Sequence, residues 1–371
     1  MTRLEKKLRA TLRRLSVGKE AKVLVAVSGG ADSVALLDAF VRLRRAAQMP
    51  KTIFAVHCNH LLRGDESDAD EMFVRELAMQ LQVPLFVGSF NAALLAEEMS
   101  RNLEATARDL RYSEFQAAAT QFGANVIATA HTRDDQVETL LMRLLRGSGA
   151  EGWRGIHESF ALDSEAVLIR PLLEVTRAEV IAHCERYKLS FRTDSSNLIT
   201  DFTRNRVRHE LLPQLKTYNP RIDEALLRLS RQMTEDDDYL NGIAAESLQK
   251  KRFTQRRRER GEEESEAEQI RDDSLEVKCL RDEHPAIRRR VLRLWLRRGR
   301  GDLRRIDAAH LLSLDKLVTQ GEGGSYVELP GGWQVWRRRR HLVLVKAGSE
   351  TVESDALQAG QKEHLTFTRD D

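Results

Sequence analysis

The run Val23-Leu24-Val25-Ala26-Val27-Ser28-Gly29-Gly30-Ala31-Asp32-Ser33 constrains this chain more than any other stretch. An apolar, β-branched segment ends in Ser-Gly-Gly, and a helical pattern (Val34, Leu36, Leu37, Phe40, Val41) begins at once. A strand that turns on glycine into a helix gathers free backbone N–H groups and the positive end of the helix dipole at one point. That makes an anion site. The same residues also suit an ordinary strand–turn–helix connection. Asp32 bears on the choice. A carboxylate there repels a bound phosphate unless Mg2+ bridges the two, although a first-turn Asp also favours the helix dipole by itself.

Up to about residue 190 strands and helices alternate. After the first strand, Thr52–His57 reads as a strand and Ser67–Gln82 as a helix, followed by a brief strand Leu85–Val87. Leu103–Phe122 is a long helix, Asn125–Ala130 a strand, Asp134–Leu145 a helix and Val167–Leu172 a strand. Thr176 caps a helix running to Tyr187, with Glu179 completing a capping box. Such alternation predicts an α/β fold with a parallel sheet covered on both faces. Ligands of such sheets bind beyond the C-terminal strand ends. Ser28–Ser33, His57–Asn59 and His131–Asp135 therefore fall on one rim.

The 371 residues suffice for two or three domains. A net charge of +3 means that any nucleic-acid surface must come from local clustering. No apolar run approaches a membrane span and no signal peptide opens the chain, whose residues 1–20 read as a basic amphipathic helix on Leu4, Leu8, Leu12 and Leu15. Cys58, Cys184 and Cys279 lack CxxC spacing, which suits a reducing cytoplasm and gives neither a zinc site nor an iron–sulfur cluster.

Three further groups carry chemistry. His131-Thr132-Arg133-Asp134-Asp135 follows a strand end; His131 suits a phosphate or an activated carbonyl oxygen, or a purely structural role. Asp134 and Asp135 divide between capping the helix, the default for Asp at a helix start, and holding Mg2+, with Asp135 the metal-facing choice. On the long helix, Glu104 and Arg108 are four apart and pair as a salt bridge worth a few tenths of a kcal/mol, unless Arg108 reaches a nucleotide instead. Arg204 and Arg208 are also four apart, with Arg206 and His209 nearby. Like charges at that spacing oppose each other unless an anion lies between, and a phosphodiester or a triphosphate would serve. A solvated basic face is the plain alternative, weighed against by the turn-rich Asp194-Ser195-Ser196-Asn197 just upstream.

Past the basic helix Phe202–Pro213, residues 221–250 look helical. From 250 to 273 large apolar residues almost vanish, which predicts a flexible charged insertion. Pro285 opens a helix to about Arg298, and a second covers Ile306–Val318. Tyr326–Leu329, Trp333–Trp336 and Leu342–Val345 form a small β-meander with a Pro330-Gly331-Gly332 turn. The expected organisation is 1–215 as the α/β domain, 216–320 as a helical domain, 321–347 as the meander and 348–371 as a polar tail.

Ser28-Gly29-Gly30-Ala31-Asp32-Ser33 resembles the pyrophosphate loop, SGGxDS, of the N-type ATP pyrophosphatase (PP-loop) superfamily. No GxxxxGK[ST] element is present. Together with Ala130–Gln136, Leu144-Leu145-Arg146-Gly147-Ser148-Gly149 and Asp194-Ser195-Ser196-Asn197…Arg204–His209, this loop is similar to the tRNA(Ile)-lysidine synthase family over residues 20–220. The C-terminal part resembles that family's tRNA-recognising domains more loosely. Two departures touch loop geometry only: Trp153 follows the LLRGSG segment where the family shows a smaller apolar residue, and Leu61 replaces a usual glycine in His57–Arg63. The chain is also shorter at its C-terminus than the longest members, which predicts a reduced final β domain.

The resemblance implies a Rossmann-like PP-loop domain followed by a helical domain and a small β element. It implies a cytoplasmic ligase that uses ATP and Mg2+, with free L-lysine and the CAU-anticodon isoleucine tRNA as partners, and it leaves room for a homodimer. The C2 oxygen of the wobble cytidine is adenylated with release of pyrophosphate; the lysine ε-amine then displaces AMP. Carried over by motif, Ala26, Ser28, Gly29, Gly30, Ala31, Asp32, Ser33, His57 and Arg108 bind ATP. Asp32 and Asp135 hold the metal, and Asp32, His131 and Asp135 are catalytic. Arg146, Arg204, Asn205, Arg206, Arg208 and His209 meet the tRNA. The rivals are a tRNA thiolase of the same superfamily, for which paired cysteines are expected, and a non-enzymatic ATP-binding module.

Overall fold

A computed structural model describes residues 1–46, 49–61, 64–98, 102–163, 165–192, 203–258 and 274–346, with the side chains of Glu104 and 250–258 left aside. Asp194–Asn197, residues 259–273 of the expected insertion and the 348–371 tail lie outside them. The chain divides into two compact units, Met1–Ser148 with Gly152–Arg231, and Gly149–Glu151 with Gln232–Asp371.

The first unit opens on α1 (Arg3–Arg14), capped by a Thr2–Glu5 box and burying Leu4, Leu8 and Leu12. Then follow β1 (Lys22–Ala26), α2 (Ala31–Arg45), β2 (Thr52–Asn59), α3 (Asp65–Leu81), β3 (Leu85–Ser89), α4 (Ala92–Glu98), α5 (Leu103–Phe122), β4 (Val126–Ala128) and α6 (Arg133–Leu145). A 3-10 turn (Ala150–Arg154) leads to β5 (Ser159–Ala161), β6 (Val167–Ile169), α7 (Arg177–Tyr187) and α8 (Thr203–Arg206); a π-helical turn (Val207–Leu211) and α9 (Leu212–Tyr218) complete the segment. The strands make one sheet in the order β3-β2-β1-β4-β6-β5, parallel except for the edge strand β5.

The apolar run at β1 is continuous because the strand is central. Val23 pairs with Ile53 on one side and Val126 on the other. Val23 and Val25 face a core shared with Leu36, Phe40 and Val180, whereas Leu24 faces Phe115, Ile127 and Leu168 on the opposite side. Period-two alternation with both faces buried demands such a sequence. Each large apolar side chain buried this way contributes about 2 kcal/mol.

The expected α/β architecture is present, with shifted boundaries. β2 and β3 each run two residues further than the pattern suggests, because Cys58 and Asn59 still pair with Gly88 and Ser89. β4 and β6 stop early, at Ala128 and Ile169. Neither α4 nor the short edge strand β5 shows in the sequence pattern. The basic segment is not one regular helix. Pro213 has no N–H to give the carbonyl four residues back, and the turn widens to a π-helix where that bond is missing.

α10 (Ile222–Arg258) carries the chain into the second unit and covers the first nine residues, 250–258, of the stretch expected to be an insertion. There β7 (Leu275–Glu276), α11 (Val277–Arg281), α12 (Pro285–Arg300), α13 (Ala308–Thr319), β8 (Tyr326–Leu329), β9 (Trp333–Arg338) and β10 (His341–Lys346) follow. The strands form an antiparallel sheet, β7-β10-β9-β8, with Gly331 and Gly332 at positive φ (82° and 72°) in the β8–β9 turn. Helices and meander share a single core that includes Val291, Trp295, Leu314, Leu317, Val335 and Leu342. Among the described residues no helix is long and apolar enough to cross a membrane.

Candidate active site

In the sheet order, β1 and β4 are neighbours whose connections leave in opposite directions, so a crevice opens beyond their C-terminal ends. The Ser28–Ser33 turn fills one side of it. Gly29 sits at φ 90°, a conformation that favours glycine. One hydroxyl stitches the turn: the Ser28 N–H donates to Ser33 Oγ at 3.1 Å, and Ser33 Oγ donates to the Gly30 carbonyl at 2.9 Å. Gly30 is the N-cap of α2 with no side chain over it, and Ala31, the first helical residue, is buried. Ala26 ends β1 just before the turn, half-buried. The result is a helix N-terminus open to an anion.

Asp32 leans across the crevice. One carboxylate oxygen takes Arg177 Nη1 at 3.3 Å; the other, Oδ1, is buried without a partner. Burial pushes this carboxyl up to about 6, against the pull of Arg177, and Asp135 and Asp134 push it the same way. The two motifs expected on one rim are thus close enough to feel each other's charge. His57 meets the turn from beneath. Only 4% exposed, it engages the Val27 carbonyl through Nδ1 at 2.8 Å, and burial lowers its pKa.

Across the crevice, His131 lies 3.1 Å from Thr129 Oγ1 through Nδ1. Burial, then the positive charge of Arg170, depresses its pKa to about 4, so the ring is neutral at pH 7. Asp135 closes a capping box with Thr132: its Oδ2 accepts from the Thr132 N–H at 2.7 Å. Its Oδ1 accepts from Arg204 Nη2 at 3.1 Å. Asp134 accepts from the Arg177 N–H at 2.8 Å and so caps α7. Both acids cap a helix, Asp135 its own α6 and Asp134 the following α7, and Asp135 also faces Arg204.

The anion expected between Arg204 and Arg208 is present, and it belongs to the protein. Glu138, 2% exposed, accepts from Arg204 Nε at 2.9 Å and from Arg208 at 2.5 and 3.1 Å. It lies three residues after Asp135 on α6, and that i, i+3 pair of acids is the sequence signal that would have singled it out. Arg177, directly after the Thr176 cap, also escapes the sequence reading, as does Arg170, the first residue beyond β6. Arg206, His209 and Arg146 are exposed and stand apart from the cluster, Arg206 beside Glu210 at 3.5 Å. Asn205 is half-buried with polar partners. Arg108 is exposed on α5, its guanidinium 5.1 Å from the Tyr112 ring centre, and its charge reaches His131.

Among the described residues no group of three or more His, Cys, Asp or Glu is gathered to hold a metal. Mg2+ does not require one, since it commonly takes one or two carboxylates and fills its other positions with phosphate oxygens and water. The buried, unpartnered oxygen of Asp32 beside an anion-binding turn fits that donor set.

A parallel sheet with this turn at its switch point defines a PP-loop protein, and residues 1–215 match the family described as the PP-loop domain. Residues 275–343 match the TilS substrate binding domain. The chain is 34% identical over 329 residues to a tRNA(Ile)-lysidine synthase of Clostridioides difficile, covering 88% of this chain and 67% of that one. It is 37% identical to one of Geobacter sulfurreducens (83% and 62%) and 34% identical to one of Geobacillus kaustophilus (89% and 68%). The chain belongs to the tRNA(Ile)-lysidine synthase family, spanning about two thirds of the length of these three relatives. Its fold is also similar to that of a U34-tRNA thiolase from Methanococcus maripaludis, at 19% identity and a TM-score of 0.52 over 62% of this chain and 78% of that one.

Proposed function

We propose that this chain converts the wobble cytidine of the CAU-anticodon isoleucine tRNA to lysidine, consuming ATP and free L-lysine and releasing AMP and pyrophosphate. The observation that carries the reading is the buried, unpartnered Oδ1 of Asp32 on the Ser28–Ser33 turn, with Asp134 and Asp135 of the adjacent strand end close enough to act on its charge, in a chain of this family. Free N–H groups of the turn and α2 receive the pyrophosphate half of ATP, which aims the α-phosphorus at the crevice. Bound Mg2+ offsets the charge that develops on departing pyrophosphate; Asp32 would hold it, and Asp135 would join only after releasing Arg204.

His131 supports the second step. The lysine amine must lose a proton as it attacks C2. A neutral imidazole is available to take it, whereas both oxygens of Asp135 already accept hydrogen bonds. The exposed Arg206, His209 and Arg146 suit phosphate contacts with tRNA. Arg204 and Arg208 are committed to Glu138 and hold the basic segment against α6. Cys58, Cys184 and Cys279 form no disulfide and lie on three different elements, which favours an amine over sulfur as the second nucleophile.

The test is incubation with ATP, lysine and CAU-anticodon isoleucine tRNA, followed by nucleoside mass spectrometry. Lysidine with stoichiometric AMP is expected. Thiolated cytidine, or AMP release that does not depend on tRNA, would overturn the proposal.

A further inference from the structure

A polar chain runs through the apolar core of the first unit, away from the crevice. His183 is wholly buried, and both of its ring nitrogens are engaged: Nδ1 lies 2.9 Å from Thr2 Oγ1, and Nε2 lies 2.8 Å from Asp38 Oδ2. Asp38, 2% exposed, also accepts from Arg42 Nε at 2.6 Å, and the Arg42 guanidinium lies 3.2 Å over the centre of the Tyr187 ring. Burial pushes the Asp38 carboxyl up, but the hydrogen bonds from His183 and Arg42 outweigh it and hold the group below its ordinary pKa.

These contacts repeat at one interval. Asp32 with Arg177, Asp38 with His183 and Arg42 with Tyr187 join α2 to α7, and the members of each pair stand 145 residues apart. A constant offset along both helices means that α2 and α7 run parallel and in a single register. Their first turns therefore lie side by side at the crevice, where the Arg177 side chain meets Asp32 and the Arg177 N–H is taken by Asp134. A buried charged pair adds little stability over apolar side chains of similar volume, and its best-attested use is to fix register. Apolar ridges can settle into neighbouring grooves, whereas the Asp38–His183 hydrogen bond is made in one register only.

We infer that His183, through its hydrogen bond to Asp38, is a positioning residue that sets the register of α7 against α2 and so fixes Arg177 against the Asp32 carboxylate. The inference rests on the proposed tRNA-dependent adenylation. His183 lies about 9 Å along α7 from Arg177 and touches no reactant. It acts on which oxygen of Asp32 is occupied: Arg177 keeps Oδ2, and Oδ1 stays without a protein partner. A slip of one helical turn would carry Arg177 about 5.4 Å from that place. Misplacement by about 1 Å at a reacting centre is enough to cost about 100-fold in rate.

Steady-state, tRNA-dependent pyrophosphate release by the full chain tests this. H183Q keeps a donor where Nε2 stands, and with it the bond to Asp38; H183N keeps only the polar atom that faces Thr2. H183Q should stay within about threefold of the wild-type kcat, and H183N should fall by about tenfold or more, with the KM for tRNA unchanged in both. The paired exchange D38L/H183L removes donor and acceptor together, so its urea midpoint should match or exceed that of the wild type while its kcat falls as in H183N. In an R177Q background the same exchange should change kcat by less than about twofold, because the arm that it positions is gone. Equal kcat values in H183Q and H183N would overturn the inference, and this contrast decides alone if the paired exchange does not fold. Equal losses from the paired exchange with and without Arg177 would also overturn it. So would a lowered urea midpoint with kcat at the wild-type level, which is the mark of a purely structural pair. A wild type with no tRNA-dependent pyrophosphate release would instead bring down the underlying functional reading.

Discussion

Asp32 and His131 show how burial changes what a side chain can do. Asp32 keeps one oxygen buried and unbonded. Replacing it with Asn removes the charge while nearly keeping the shape, and should lower pyrophosphate release by about 100-fold or more, as loss of a preorganised electrostatic group does. tRNA affinity, measured by filter binding, should stay within about twofold. His131 makes a prediction about pH. Its folded pKa of about 4 lies below the ordinary histidine value of about 6.5, so the unfolded chain binds more protons between those limits. The neutral ring costs nothing above pH 6.5, and stability falls as pH drops toward 4. Urea midpoints across that window should decline less steeply in His131→Asn than in the wild type.

At the scale of elements, the caps carry much of the local information. The Thr132–Asp135 box starts α6 and holds the Asp135 carboxylate in place. Thr132→Ala should cost about 1 kcal/mol by chemical denaturation. The expected Thr176–Glu179 box is present, because a cap depends only on residues three apart. The same spacing joins Thr132 and Asp135. Strand existence was readable from apolar runs, but strand ends were not, since they depend on which neighbour continues to pair. Arg170 and Arg177 could not be singled out for a related reason. Each matters through strand order or a contact with a distant segment, and no spacing within its own element records that. The spacing of Arg204 and Arg208 pointed to a phosphodiester or a triphosphate between them, and the fold places the carboxylate of Glu138 there.

For the whole molecule, the two units have separate apolar cores, one around Leu36 and Phe40 and the other around Trp295 and Leu314. Two such cores predict two calorimetric transitions. Because the proposed ATP site lies wholly in the first unit, MgATP at about 100 times its Kd should stabilise that transition by about 2.7 kcal/mol and leave the other unmoved. The pairing of Val23 with Val126 carries a kinetic consequence. Bringing segments about a hundred residues apart together costs about 4 kcal/mol of loop-closure entropy, so the crevice between β1 and β4 assembles late. Nucleotide therefore has nothing to bind while the chain is still searching. In stopped-flow experiments MgATP should slow unfolding of the first unit and leave its refolding rate unchanged, making the nucleotide a clasp on the finished sheet rather than a template for building it.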